Sequence, residues 1–236
     1  MAQSNYNALQ VSFEKRAGAL RLLGAYTYSK ALDNSSGFND QINPFYPGLS
    51  KSLSSFDLTH NFVVSYSYDL PLARVSSSSS GFAHGFLSGW MLSGITRFTT
   101  GLPITLSTND DRSLCGCSGL DRPNYNDQPI TIFDPRKTSD HTYFDAAPFS
   151  LETVGVPGNA NRRFFHGSGL NNWDFSLQKN TQIKERMSLQ IRAEFFNIFN
   201  HAQFQNPTGT INSSTFGRVT SAWPGRIGQV AMKFSF

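Results

Sequence analysis

The sequence predicts an all-β fold: an antiparallel transmembrane β-barrel, present in part as about seven C-terminal strands of a larger barrel. Three observations carry this expectation. Apolar and polar residues alternate with period two over runs close to the length of a tilted membrane strand. The connections between runs are short at one end and long at the other. Charged residues make up only 15 % of the chain while aromatic residues reach 14 %, including 21 Phe, against about 25 % charged in an ordinary soluble domain.

Leu9, Val11 and Phe13 alternate with Gln10, Ser12 and Glu14, which predicts a first strand over 5–16. Leu20, Leu22, Gly24, Tyr26 and Tyr28 give a second over 19–31, with Leu23 breaking the strict rule. Phe62, Val64, Tyr66, Tyr68 and Leu70 mark a third over 57–70. Trp90, Leu92, Gly94, Thr96 and Phe98, opposite Ser93 and Arg97, mark a fourth over 88–103. The clearest case is Trp173-Asp174-Phe175-Ser176-Leu177-Gln178, in a fifth strand over 171–182. Leu189, Ile191, Ala193 and Phe195 alternate with Gln190, Arg192 and Glu194 in a sixth over 186–199. Gly228, Val230, Met232, Phe234 and Phe236 form the apolar face of a last strand over 226–236. No segment has the period of a helix.

Residues 17–18 and 183–185 are tight connections, and 71–87 is longer, with the serine tract Ser76 to Ser80. The alternate connections, 32–56, 104–170 and 200–225, are long and rich in Gly, Pro, Asn, Asp and Ser. A short-turn side and a long-loop side is the asymmetry of bacterial outer-membrane barrels. Aromatics gather near both ends of the apolar faces: Tyr66, Tyr68, Trp90, Phe234 and Phe236 toward the short turns, and Tyr26, Tyr28, Phe98, Trp173 and Phe199 toward the long loops. Two such belts fit two membrane interfaces. With the short turns in the periplasm, the first and last strands both run inward, so the count is odd. A complete bacterial barrel has an even number, and open edges leave unpaired backbone groups in lipid. Further strands upstream are therefore expected. The opening residues lack the basic-then-apolar pattern of an export signal, which points to a processed form or a fragment.

The net charge of +4 comes from Lys and Arg spread along the chain rather than clustered, so no nucleic acid is expected as a partner. No run of about 18 apolar residues exists to form a spanning helix. Cys115 and Cys117 flank Gly116 in the longest loop, where a small disulfide staple is the plain reading. Asn109-Asp110-Asp111 could offer oxygen ligands to calcium but lacks the EF-hand spacing, and a solvated acidic turn is the simpler reading. His60, His84, His141, His166 and His201 form no zinc motif, and no G-x-S-x-G elbow is present. Asp174, Arg192 and Glu194 are expected to form a charge network on the wetted face. Tyr125, Tyr143, Phe144, Phe164, Phe165 and Trp223 either bind a substrate or pack together over the barrel mouth. No enzyme activity, catalytic residue, metal ligand or cofactor is assigned, and the substrate-binding residues are left open.

Several segments resemble one family, the Oar-like TonB-dependent transporters. They are Gly169-Leu170-Asn171-Asn172-Trp173-Asp174-Phe175-Ser176-Leu177-Gln178-Lys179-Asn180 and Arg192-Ala193-Glu194-Phe195-Phe196-Asn197-Ile198-Phe199-Asn200-His201. Gly89-Trp90-Met91-Leu92-Ser93-Gly94-Ile95, Ala25-Tyr26-Thr27-Tyr28-Ser29-Lys30 and Phe56-Asp57-Leu58-Thr59-His60 fit as well. The resemblance implies a cell outer-membrane protein with a barrel of about 22 strands around an N-terminal plug. It also implies substrate bound at outer loops and plug apex, and a TonB complex that pulls on the plug. Residues 1–236 would then be the C-terminal barrel region, with the plug, the TonB-contacting segment and the upstream strands outside them. The last strand, ending at Phe236, looks like the signal read by the barrel-assembly machinery, which can pair with a regular edge strand. The alternatives are a small autonomous or truncated outer-membrane barrel with a structural or interaction role, and a soluble carbohydrate-binding β-sandwich.

Overall fold

Alternation fixes which face each side chain takes, and the strand pairing shows the result. The structure, a computed structural model, describes residues 3–37, 40, 47–75, 81–116 and 121–236. The long strands are β1 (Ser4–Ala17), β2 (Leu20–Asp33), β4 (His60–Asp69), β5 (Trp90–Thr99), β8 (Leu170–Lys184), β9 (Met187–Phe196) and β10 (Ile227–Ser235). They pair antiparallel in the order β1-β2-β4-β5-β8-β9-β10, and the two-residue β3 (Ser52–Leu53) adds to β2. Each long strand lies within a few residues of its predicted span. The sheet is not closed: β1 and β10 are its edges.

The register carries the alternation across every strand. Ala17, Leu20, Tyr68, Leu92, Leu177, Ala193 and Val230 form one continuous cross-strand row. Arg16, Arg21, Ser67, Ser93, Ser176, Glu194 and Gln229 form the neighbouring row on the opposite face. One face is thus mainly apolar, with Lys15 and Lys179 as exceptions, and the other mainly polar, and a one-residue slip anywhere would exchange them. On the apolar face Tyr66 lies over Gly94, where an added Cβ would meet the Tyr66 hydroxyl at 2.6 Å. The same ring meets Phe175 edge-on at 6.0 Å. A glycine there lets the aromatic ring cover the neighbouring strand.

The turns follow from their residues. Gly18 takes φ +56°, as the first central position of a two-residue II′ hairpin requires. Glu185 and Arg186 close the β8–β9 hairpin, next to an irregularity between Gln182 and Lys184. Between β4 and β5 the structure departs from expectation. It forms two short helices, α1 (Leu72–Val75) and α2 (Gly81–Leu87), where no helix was expected. Elements of four and seven residues are too short to show a helical period in sequence. The serine tract Ser76 to Ser80 lies outside the described residues. Helix α2 is pinned beneath the sheet: Trp90 Nε1 donates to the Phe86 carbonyl at 2.9 Å, and Lys179 Nζ donates to the carbonyls of Gly85 and Ser88. Among the described residues no helix is long and apolar enough to cross a membrane.

The hydrophobic core is not in the sheet. Ile104, Leu106, Tyr143, Phe144, Phe149, Ala160 and Val219 are buried together among the long loops. Phe144 meets Phe149, Phe165 and Phe216 edge-on at 5.8, 5.2 and 5.2 Å, contacts worth about 1 kcal/mol each beyond the area they bury. The short strands β6 (Asn124–Tyr125) and β7 (Phe149–Ser150) and bridges such as Ser107 to Thr210 and Thr142 to Arg218 tie the loops into one cap.

Candidate functional site

Two surfaces could handle a solute: the polar face of the sheet and the cap at its long-loop end. The polar face holds a hollow of about 820 Å³ lined by Glu14, Arg16, Arg21, Ser67, Asp174 and Glu194, among others. Its charges are of both signs. Arg16 pairs with Glu14 at 2.6 Å and Arg192 with Glu194 at 3.0 Å. The expected network of Asp174, Arg192 and Glu194 is divided. Asp174 Oδ1 instead accepts from Asn172 Nδ2 and from the Asn197 amide, both at 2.9 Å. The Asn197 amide is where the strand turns into the loop, so the nearer donor takes the carboxylate. Among the apolar side chains that break the polar face, Leu23, Ile95 and Phe196 line the hollow. Leu23 and Ile95 share a cross-strand row with Glu14, Ser65 and Asp174. The break in alternation at 23 was visible in the sequence, while those at 95 and 196 acquire meaning only once the register aligns them.

The cap is held to the sheet by buried charge. Arg162 Nη2 donates to Asp33 at 2.7 Å, both side chains being buried, and Arg162 Nη1 lies 3.5 Å from Asp40. Arg163 donates to both Asp40 oxygens at 3.0 Å and to Thr105 Oγ1 at 2.7 Å. Burial pushes the Asp40 carboxyl up, but the Ser36 amide and the Arg163 and Arg162 charges outweigh it and hold it below the ordinary carboxylate range. Burial lowers the nearby Arg122 guanidinium to about 10, and the Arg162 charge adds to this. A second clamp joins His166 Nε2 to Asp57 at 2.8 Å, while the other Asp57 oxygen accepts the Ala31 amide. No local sequence pattern marks these pairs, because the partners lie more than a hundred residues apart in the chain.

Tyr143, Phe144, Phe164, Phe165 and Tyr125 belong to the cap core or pack against it, so they hold the loops together, whereas Trp223 is exposed. Asp110 accepts from Asn212 Nδ2 at 3.2 Å, and Asp111 accepts the amides of Cys115 and Gly116 at 3.0 and 2.9 Å. These bonds organise a turn. Cys115 is disulfide-bonded, and Cys117 lies outside the described residues. Asp111, Cys115 and Asp121 come together, but a disulfide sulfur offers no thiolate to a metal. The histidines stay apart: His60 packs between Tyr26 and Tyr28, His141 Nδ1 meets the Pro135 carbonyl, and His201 Nδ1 meets the Asn171 carbonyl.

At the long-loop ends of the strands, aromatic rings follow one another along the apolar face. Tyr26 and Tyr28 flank His60, Phe62 meets Phe98 at 6.3 Å, Phe98 meets Trp173 at 5.7 Å, and Trp173 meets Phe199 at 5.5 Å. This is a membrane-interface belt. The family model described as "Outer membrane beta barrel domain" matches residues 1–229. The chain belongs to that family. The outer membrane beta barrel domain explains why large side chains such as Val230 and Met232 stand 78 % and 74 % exposed on a largely apolar face: that face meets outer-membrane lipid, and the polar face is turned away from it. Neither the curated proteins nor the solved structures compared with the chain include a match.

Proposed function

We propose that residues 1–236 are the C-terminal barrel region of a TonB-dependent outer-membrane transporter, and that their polar face lines the path of a nutrient too large for simple diffusion. The observation that carries this is the two-faced sheet with both edges open. Backbone groups at an open edge cannot remain unpaired in lipid, so β1 and β10 need strands from elsewhere in the barrel. The motif resemblance supplies the kind of barrel: one of about 22 strands with a plug in its lumen. The role is binding and translocation by the complete receptor, without catalysis. Substrate meets the cap first, the TonB complex acts on the plug, and the barrel-assembly machinery reads the strand that ends at Phe236.

The test uses the full-length protein in detergent and the purified periplasmic domain of TonB. Calorimetry should register one-to-one binding that disappears when the receptor's N-terminal segment is removed. No heat of binding, with the barrel folded, would overturn the transport reading in favour of an autonomous barrel. A soluble sandwich is disfavoured by the apolar face, since among the described residues no second sheet packs against it.

A further inference from the structure

A second cavity, of about 390 Å³, has no part in that reading. It opens beside the first residues of β8, where Phe133, Asp134, Arg136, Asn171, His201 and Phe204 line it. Its position follows from two contacts. Asn171 Oδ1 accepts from Trp173 Nε1 at 2.9 Å, which places the Asn171 side chain on the lipid-facing side of the strand. His201 stacks on Phe199 at 5.8 Å, and Phe199 meets Trp173 edge-on. The cavity therefore sits directly above the aromatic belt, on the outer wall of the barrel rather than in its lumen. Long loops face outward in such barrels, so this is the level of the outer leaflet's headgroups.

The lining has the chemistry of a sugar site. Phe133 and Phe204 offer apolar faces to the C–H side of a pyranose ring. Arg136 and Asp134 form a two-pronged pair, with both N···O distances 2.9 Å. This pair fixes a carboxylate and a fan of N–H donors side by side. The Arg136 side chain remains 64 % exposed, so its other N–H groups point outward. His201 commits Nδ1 to the Asn171 carbonyl and presents its second ring nitrogen. A few fixed polar groups set among aromatic walls are the usual make-up of a selective pocket. The guanidinium also suits a phosphate carried on the sugar.

We propose that this cavity holds the sugar headgroup of a glycolipid in the outer leaflet, its acyl chains lying along Trp173 and Phe199. A lipid-anchored sugar is favoured over a free one because anchoring in the same leaflet raises its effective concentration at the cavity. The inference rests on the membrane placement of the sheet and is independent of the transport reading.

The test places the full-length protein in phosphatidylcholine nanodiscs doped with lipid A bearing inner-core sugars, and measures retained glycolipid by native mass spectrometry. Retention should be saturable and fall about tenfold in Arg136→Ala and in Phe133→Ala, a loss on the scale of one charge-assisted contact. Ser176→Ala, on the polar face, should leave it unchanged. Both lining side chains are partly exposed, and heat-modifiable gel migration reports whether each variant is folded. Parallel arms use phosphatidylglycerol in place of the glycolipid, and the acyl-free core oligosaccharide in solution. Any of these results overturns the proposal: no glycolipid retained, equal retention of phosphatidylglycerol, equally tight binding of the free oligosaccharide, or full retention by both folded variants.

Discussion

Arg162 and Asp33 form the most deeply buried ion pair among the described residues, at 2.7 Å with side chains 6 % and 3 % exposed. Breaking such a pair from one side strands the other charge in a poor solvent and costs about 3–5 kcal/mol. Asp33→Ala should therefore detach the cap while the strands stay paired, seen as rapid proteolysis within 104–170 with the barrel fragment protected. Asp40 adds a pH dependence of known sign. Its folded pKa lies below the ordinary value of 3.8, so its contribution is present above that value and is lost as pH falls through the folded one. Acidification to below about pH 4 should raise the same cleavage. Glu152 has the opposite sign. Its side chain is fully buried, and Arg112 Nε is 3.8 Å from its Oε1. Burial pushes its pKa up from 4.5, with the Asp121 charge adding. The folded cap is thus favoured below the unfolded value and loses that advantage as pH rises through the folded one. Glu152→Gln should stabilise the cap at pH 8 by about 1 kcal/mol and do less at pH 4, which hydrogen exchange across 149–162 can measure.

The strands are the elements whose character was legible in sequence, because alternation is local: each residue's face follows from its neighbours two positions away. This is why β8 and β10 could be placed within two residues of their ends. The cap was not legible. Phe144, Phe149 and Phe216 have no period in common, and what joins them is a set of single bridges such as Thr208 to Phe216. The Arg163–Asp40 pair and the outer-wall cavity were hidden for the same reason: each gathers residues from loops far apart in the chain. Strand faces also set the outcome of substitution. Leu177 and Ser176 are neighbours on opposite faces of β8. Leu177→Arg should cost about 2–4 kcal/mol in a lipid-facing position near mid-depth. Ser176→Arg should cost far less, since that face is wetted. Urea unfolding of the full-length protein in bilayers reads both.

For the molecule as a whole, the sheet separates two solvents, lipid on the row through Leu177 and water on the row through Ser176, with a loop cap at its outer end. The open edges at β1 and β10 show why these strands need company in a bilayer, and the family match places them in the outer membrane. The proposed transport path and the proposed glycolipid site both depend on that division of faces. The most direct measurement is a nitroxide scan of residues 172–178 of the full-length protein in nanodiscs, comparing collisions with lipid-dissolved oxygen and with an aqueous nickel chelate. Oxygen contact should peak at 173, 175 and 177 and nickel contact at 174 and 176. Uniform nickel access along the scan, or the same alternation with its phase reversed, would contradict the account.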